Sequence, residues 1–349
     1  MKRYLIVRLG AFGDCLIITS LLRYLKQGGN EVYLLTSEQG EQVFANNPYI
    51  DKIKIHERDS IANENLRTYF ESIQQAWECD ELIDLCESIE VNLSLYPADP
   101  RYNYPKQEKI KLCNKNFYEE TFRFAGINPI IVSGLQEFDF GKLYNPELFF
   151  TPQEERAMQG FFKQFKDWFV VLWGLSGSSR NKTYPTPYMF ETVEALCQKY
   201  DDIVFITVGD ELCQILEGPF EKNKRVIRKS GLWAMRESML ACKYASLVIS
   251  PDTGLLHASG CFDTPKIGLL THATKENITK HFKNDYSLEP EGVSCAPCFR
   301  IMYQADVQCN LADDRITPMC LAYGMTPERV IKQIERAKNV ACNNPDLQK

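Results

Sequence analysis

A chain of 349 residues is long enough for two domains of ordinary size, and a hydrophobic share of 44% lets each bury a core of its own. A net charge of −6 argues against tight nucleic-acid binding, which draws on Lys and Arg at phosphates. The start, Met1-Lys2-Arg3-Tyr4-Leu5-Ile6-Val7-Arg8, has too short an apolar run for a signal peptide, and no stretch of about 18 uncharged apolar residues exists to span a membrane. Thirteen cysteines in a chain without an export signal point to free thiols or a metal site rather than a disulfide framework.

In chain order, Tyr4 to Leu9 reads as a buried strand, followed by a glycine turn and a helix over Asp14 to Lys26 that stops at Gly28-Gly29. Glu31 to Thr36 is a second strand. A helix around Thr68 to Glu78, a strand over Glu81 to Leu85 and a helix around Tyr118 to Ala125 follow. Residues 97–110, with three prolines and several charges, read as an exposed loop, and 136–152 as the linker. The pattern then restarts. Strands are expected at Trp168 to Trp173, Ile203 to Val208, Leu247 to Ser250 and Lys266 to Leu270. Helices are expected at Tyr188 to Lys199, Ala234 to Tyr244, Leu255 to Gly260 and 327–341, the last opened by Pro327. Such alternation predicts an α/β chain of two doubly wound, Rossmann-like domains, 1–145 and 146–349. Facing each other, they would leave a cleft at the carboxyl ends of their strands.

Two loops in the second half suit an anion. Ser250-Pro251-Asp252-Thr253-Gly254-Leu255-Leu256-His257 follows an apolar strand and opens a helix. Asp252 and Thr253 are natural N-caps, Gly254 admits a ligand close to the backbone, and His257 lies one turn in. A plain capped helix with a structural histidine is the alternative. The other loop, Gly174-Leu175-Ser176-Gly177-Ser178-Ser179-Arg180-Asn181-Lys182-Thr183-Tyr184-Pro185, offers small residues, backbone N–H groups and the Lys182 charge. It lacks the GK[ST] of a P-loop. Alone it would read as a surface loop.

Together these loops resemble glycosyltransferase family 9, the heptosyltransferases. The family's K-x-W-P appears as Lys182-x-Tyr184-Pro185, its D-T-G-x-x-H as Asp252, Thr253, Gly254 and His257, and its N-terminal G-x-x-G-D as Gly10, Gly13 and Asp14. The resemblance implies a GT-B fold and inverting transfer of a sugar, usually heptose from ADP-heptose, with no catalytic metal. It implies that Ser178, Lys182, Asp252, Thr253, Gly254 and His257 hold the donor diphosphate. It further implies that Glu211 binds the ribose and Trp233 stacks on the base, and that Asp14 is the general base. The location implied is cytoplasmic, with peripheral association at the inner membrane left open. The stretch Leu270-Thr271-His272-Ala273-Thr274 departs from the family's G-P-T-like loop, and Tyr184 stands where tryptophan is usual.

Displacing a nucleoside diphosphate needs stabilisation of the leaving charge and removal of a proton from the acceptor hydroxyl. Asp14, at a strand-to-helix turn, is the candidate base; an N-cap aspartate is the plain alternative. Arg8, at the strand's end, orients an acceptor, pairs with Asp14 or is a surface arginine. Gly13, Glu87 and Glu90 complete the acceptor-side set, with Glu87 and Glu90 also reading as a solvated helix start. Late in the chain, Cys295-x2-Cys298, Cys309 and Cys320 form a C-x2-C-x10-C-x10-C pattern suited to a structural iron or zinc. Reduced, unliganded thiols are the alternative. The autotransporter heptosyltransferase branch that the chain resembles here holds iron on four cysteines. The acceptor is left as a carbohydrate, a lipid-linked group or a protein, and a homo-oligomer as possible. A nucleotide-sugar-binding protein without turnover, or another nucleotide-sugar enzyme such as an epimerase, remains the alternative function.

Overall fold

The computed structural model describes residues 1–94, 98–129, 143–301 and 309–343. The chain divides into two compact units, residues 1–91 with 115–151, and residues 92–114 with 152–349. In the first, β1 (Arg3–Arg8), β2 (Glu31–Ser37), β3 (Lys52–His56) and β4 (Glu81–Asp84) form a parallel sheet in the order β3-β2-β1-β4. In the second, β5 (Phe169–Gly174), β6 (Ile203–Val208), β7 (Val226–Arg228), β8 (Leu247–Pro251) and β9 (Lys266–Leu269) form a parallel sheet in the order β7-β6-β5-β8-β9. β5 and β6 are buried throughout, as continuous apolar runs covered on both faces must be.

In both sheets the strand order reverses beside the first strand: at β1/β4 in one unit and at β5/β8 in the other. Parallel sheets open a crevice at the carboxyl ends of the strands on either side of such a reversal. The loops after β1 and β4, and those after β5 and β8, are therefore where each unit can present side chains to a ligand.

Around the second sheet, Trp173, Tyr184, Phe205, Ile249 and Ile267 share one core with Val330, Ile334 and Ala337 of the helix Pro327–Asn343. Val293, Ala296 and Cys320 join the same core, so the cysteine-rich segment packs against the sheet as well as carrying thiols. The stretch expected as an exposed loop is built differently. Pro100–Asn103 is a 3₁₀ turn and Lys106–Cys113 a helix, with Tyr102 and Lys109 buried. The Lys109 ammonium donates to the Tyr102 carbonyl at 2.6 Å, which supplies the partner its burial requires. Of the expected linker, 136–142 lie outside the described residues, and a helix begins at Pro152. Among the described residues no helix is long and apolar enough to cross a membrane.

Candidate functional site

At the β1/β4 reversal Arg8 is fully buried, so the surface-arginine reading does not hold. Its guanidinium donates to the carbonyls of Leu85 (2.6 Å) and Cys86 (2.8 Å), beyond the end of β4, and to both oxygens of Glu90 (2.9 and 3.1 Å). Asp14 Oδ1 stands 3.3 Å from the same guanidinium. Burial opposes the Arg8 charge, and the two carboxylates outweigh it, raising its pKa above the ordinary value. Glu90 is thus the bidentate partner of a buried cation, where a solvated helix start had been the simpler expectation. Burial pushes Glu90 up, Arg8 pulls it down, and the neighbouring Asp14 charge adds to the upward side, which prevails.

Asp14 sits in the first turn of the helix Phe12–Leu25, whose N-cap position is Ala11. It is not the cap: its Oδ2 reaches back to accept the Ala11 N–H at 2.8 Å. That bond and the Arg8 pair fix the carboxylate, and its side chain keeps 32% exposure. Gly10 makes the arrangement possible, since a Cβ there would lie 2.7 Å from Asp14 Oδ2. Gly13 lies in the same helical turn, and Glu87 is exposed.

The β5/β8 reversal brings together the two loops singled out in the second half. A Cβ on Gly177 would fall 2.7 Å from Lys182 Cβ and 3.0 Å from Thr253 Cγ2, so the loops meet at a point only glycine can occupy. The Lys182 ammonium lies 2.9 Å from Asp252 Oδ2, with both side chains about nine-tenths buried. His257 Nε2 is 3.2 Å from Asp252 Oδ1, and His272 Nε2 is 3.2 Å from Oδ2. Asp252 is therefore no N-cap: its carboxylate serves a lysine and two imidazoles. Thr253 holds the cap position of the helix Gly254–Ser259, but its hydroxyl bonds Ser250 Oγ at 2.8 Å. Burial alone would raise the Asp252 pKa, and Lys182 and the histidines overcome it, holding the carboxyl well below the usual range. His272 moves the other way. Burial, first, and the Lys182 charge push its pKa below the ordinary histidine value against the pull of Asp252. Both ring nitrogens of His272 are buried and neither makes a well-formed hydrogen bond among the described residues, so the 3.2 Å approach of Nε2 to Asp252 is a close contact. No motif marked this histidine; its only signal was the departure of residues 270–274 from the resembled pattern.

The other residues expected on the donor side lie on the same unit. Ser178 is exposed on the lysine loop, between Gly177 and buried Ser179. After β6, Asp210 caps a short turn by accepting the Cys213 N–H at 3.1 Å, which leaves the neighbouring Glu211 exposed. Trp233 is half-buried and meets Phe161 edge to face at 5.0 Å, with Lys229 over its ring at 5.5 Å.

Cys295, Cys298, Cys309 and Cys320 line one cavity of about 50 Å³. Burial raises the thiol pKa values of Cys298, Cys309 and Cys320, and mutual repulsion adds to it. Twelve of the thirteen cysteines, these four included, are free thiols. Among the described residues no three His, Cys, Asp or Glu side chains already converge as a metal cage. Four thiols lining one cavity are the donor set that a tetrathiolate ion takes.

No protein-family model matches the chain, and no curated protein sequence does. Solved structures do. A family 9 glycosyltransferase from Veillonella parvula aligns over 96% of this chain and 97% of its own, with a TM-score of 0.65 at 12% identity. The E. coli ADP-heptose lipopolysaccharide heptosyltransferase II aligns over 97% and 98%, with a TM-score of 0.64 at 13% identity. An iron-containing dodecameric glycosyltransferase from enterotoxigenic E. coli, TibC, aligns over 97% of this chain and 76% of its own, with a TM-score of 0.56 at 12% identity. Both units are thus accounted for by one known architecture: the chain has the GT-B fold of the family 9 glycosyltransferase structures.

Proposed function

We propose that this protein is an inverting glycosyltransferase that moves a sugar, heptose in the first instance, from an ADP-linked donor to an acceptor hydroxyl. The observation that carries the reading is the meeting of Lys182 and Thr253 across Gly177 at the β5/β8 reversal. There a cation and a strand-to-helix turn stand together, as a polyphosphate requires. The fold supports the same reading, and the heptosyltransferase II and TibC structures supply the sugar and the nucleotide as first choices.

In the proposed reaction the acceptor oxygen attacks the anomeric carbon and its proton passes to Asp14. The bond from that carbon to the diphosphate breaks, the electron pair leaves with the nucleoside diphosphate, and Lys182 meets the developing charge. Ser178, Thr253, Gly254 and His257 complete the diphosphate site; Asp252 holds Lys182 and the two imidazoles in place. Glu211 takes the ribose and Trp233 the base. On the acceptor side Arg8 orients Asp14, Glu90 fixes Arg8, and Gly13 and Glu87 border the acceptor.

Two measurements test this. Against a panel of ADP-, UDP- and GDP-sugars, one base should raise the unfolding temperature in proportion to RT ln(1 + [L]/Kd). With that donor, Asp14→Asn should bind as wild type does and lose about 10²–10⁴-fold in transfer. Wild-type turnover in the variant removes Asp14 from the role, and Glu90→Gln is then the next test.

We propose in addition that Cys295, Cys298, Cys309 and Cys320 hold one iron or zinc ion, a staple for the segment that carries them. The iron content of TibC favours iron. Purified protein should contain about one equivalent; less than about a tenth would end the proposal.

A further inference from the structure

Neighbouring residues on two loops serve two different places. Lys182 and His272 face the Asp252 carboxylate. The residues just before them, Asn181 and Thr271, line the cavity of the four thiols. The Asn181 amide donates to the Arg300 carbonyl at 3.0 Å, its oxygen accepts the Ser179 hydroxyl at 2.8 Å, and its main-chain carbonyl accepts the Thr271 hydroxyl. The Phe299 N–H donates to the His272 carbonyl at 2.7 Å. Asn181, Thr271, His272 and Phe299 are all at most 2% exposed. Phe299 holds a left-handed φ of 57°, rare for a bulky residue, and its own carbonyl accepts the Ser94 N–H at 2.7 Å. The main chain leaving the Cys295–Cys298 knuckle is therefore tied through buried bonds to the loops after β5 and β9, the two that bring Lys182 and His272 to Asp252.

We infer that the thiol cavity is the rear wall of the diphosphate site, and that Asn181 and Thr271 are positioning residues that transmit the state of the thiols to Lys182 and His272. This rests on the donor-site reading above. The physical reason is that buried amide and hydroxyl groups cannot be left without partners. When the knuckle shifts, the Arg300 carbonyl and the Phe299 N–H shift with it, and the two loops follow. Lys182 moves as a consequence, since it is the next residue along the chain. The lysine and the thiols are thus two faces of one packed element, and coupling between them is reciprocal.

The test uses the full chain and ADP as the probe. Thr271→Val keeps the shape and removes the hydroxyl; Asn181→Leu removes the amide. Each should weaken ADP binding by calorimetry about tenfold. Each should also raise the rate at which a maleimide modifies Cys298, measured without nucleotide. Thr271→Ser should restore both readings to within about threefold of wild type. Cys298→Ser should weaken ADP binding too, and its effect should fall short of additive with that of Thr271→Val. Full additivity, or unchanged thiol reactivity in Thr271→Val, overturns the coupling. Failure of the wild type to bind ADP or any other nucleoside diphosphate, with the thiol reactivity still raised in Thr271→Val, instead overturns the donor-site reading.

Discussion

The two sheet reversals bury their charges differently. At β1/β4 the cation is the buried partner: Arg8 is fully enclosed, while Asp14 and Glu90 keep 32% and 26% exposure. At β5/β8 both signs are buried: Asp252 and Lys182 are enclosed alike, and His257 and His272 more fully still. A buried charge must be paired, and the pairing fixes whatever lies on its outer side. One unit thereby presents carboxylates that are oriented but reachable by water. The other packs a lysine and two imidazoles around a carboxylate, with every member of the cluster buried. On the reading proposed above, the first supplies the base and the second the anion site that a glycosyl transfer needs.

The largest break in this comparison should come from Arg8→Met. It removes the buried cation and leaves Glu90 and Asp14 facing each other without it. Loss of one member of a buried pair typically costs about 3–5 kcal/mol, and urea unfolding should show a loss of that order. On the proposed reading nucleotide binding belongs to the other unit, and it should survive wherever the variant is folded. A loss below about 1 kcal/mol would mean that the Arg8 network contributes as little as a surface salt bridge does.

Asp252→Asn should cost less, about 2–3 kcal/mol, because the asparagine oxygen still accepts from one partner. Its signature is in the pH dependence. The folded-state carboxyl lies well below its unfolded value. Its contribution is thus present above about pH 3.9 and drains away as the pH falls from there toward the lower folded value. Wild type should lose stability across that acid window, and Asp252→Asn should lose less. Parallel acid curves for the two proteins would show that Asp252 is not held as an anion.

Much of this frame was legible beforehand, and the gaps have physical causes. β5, β6 and β8 are fully buried and announce themselves as unbroken apolar runs. β3 (KIKIH) and β7 (VIR) lie at sheet edges; a lysine alternation and three residues carry no such signal. Prolines and charges made 97–110 look solvated, whereas a tertiary carbonyl satisfies Lys109 inside the unit. At the site, Lys182, Asp252 and His257 follow strands and were readable as a loop pair. His272 was not, since only the chain's return after β9 brings it to Asp252. Asp252 was misread as a cap because an aspartate just before a helix usually is one. The burial of Arg8 depends on Leu85, Cys86 and Glu90, at least 77 positions away, and local pattern cannot show that.

The smallest effect sharpens the second half of the comparison. On the proposed reading Lys182, held by Asp252, meets only the phosphates, so recognition of the base must lie elsewhere on the same unit, and Trp233 is the residue we assign to it. Its edge-to-face contact with Phe161 leaves the ring half-buried. Aromatic stacking on a base contributes about 1–3 kcal/mol. Because part of the Trp233 ring is already committed to Phe161, Trp233→Ala should weaken ADP binding by about 1 kcal/mol, roughly fivefold. Pyrophosphate, which has no base, should bind the variant as it binds wild type. Equal losses for ADP and pyrophosphate would mean that the tryptophan only props the loop, and that the unit reads phosphate without reading the base at that position.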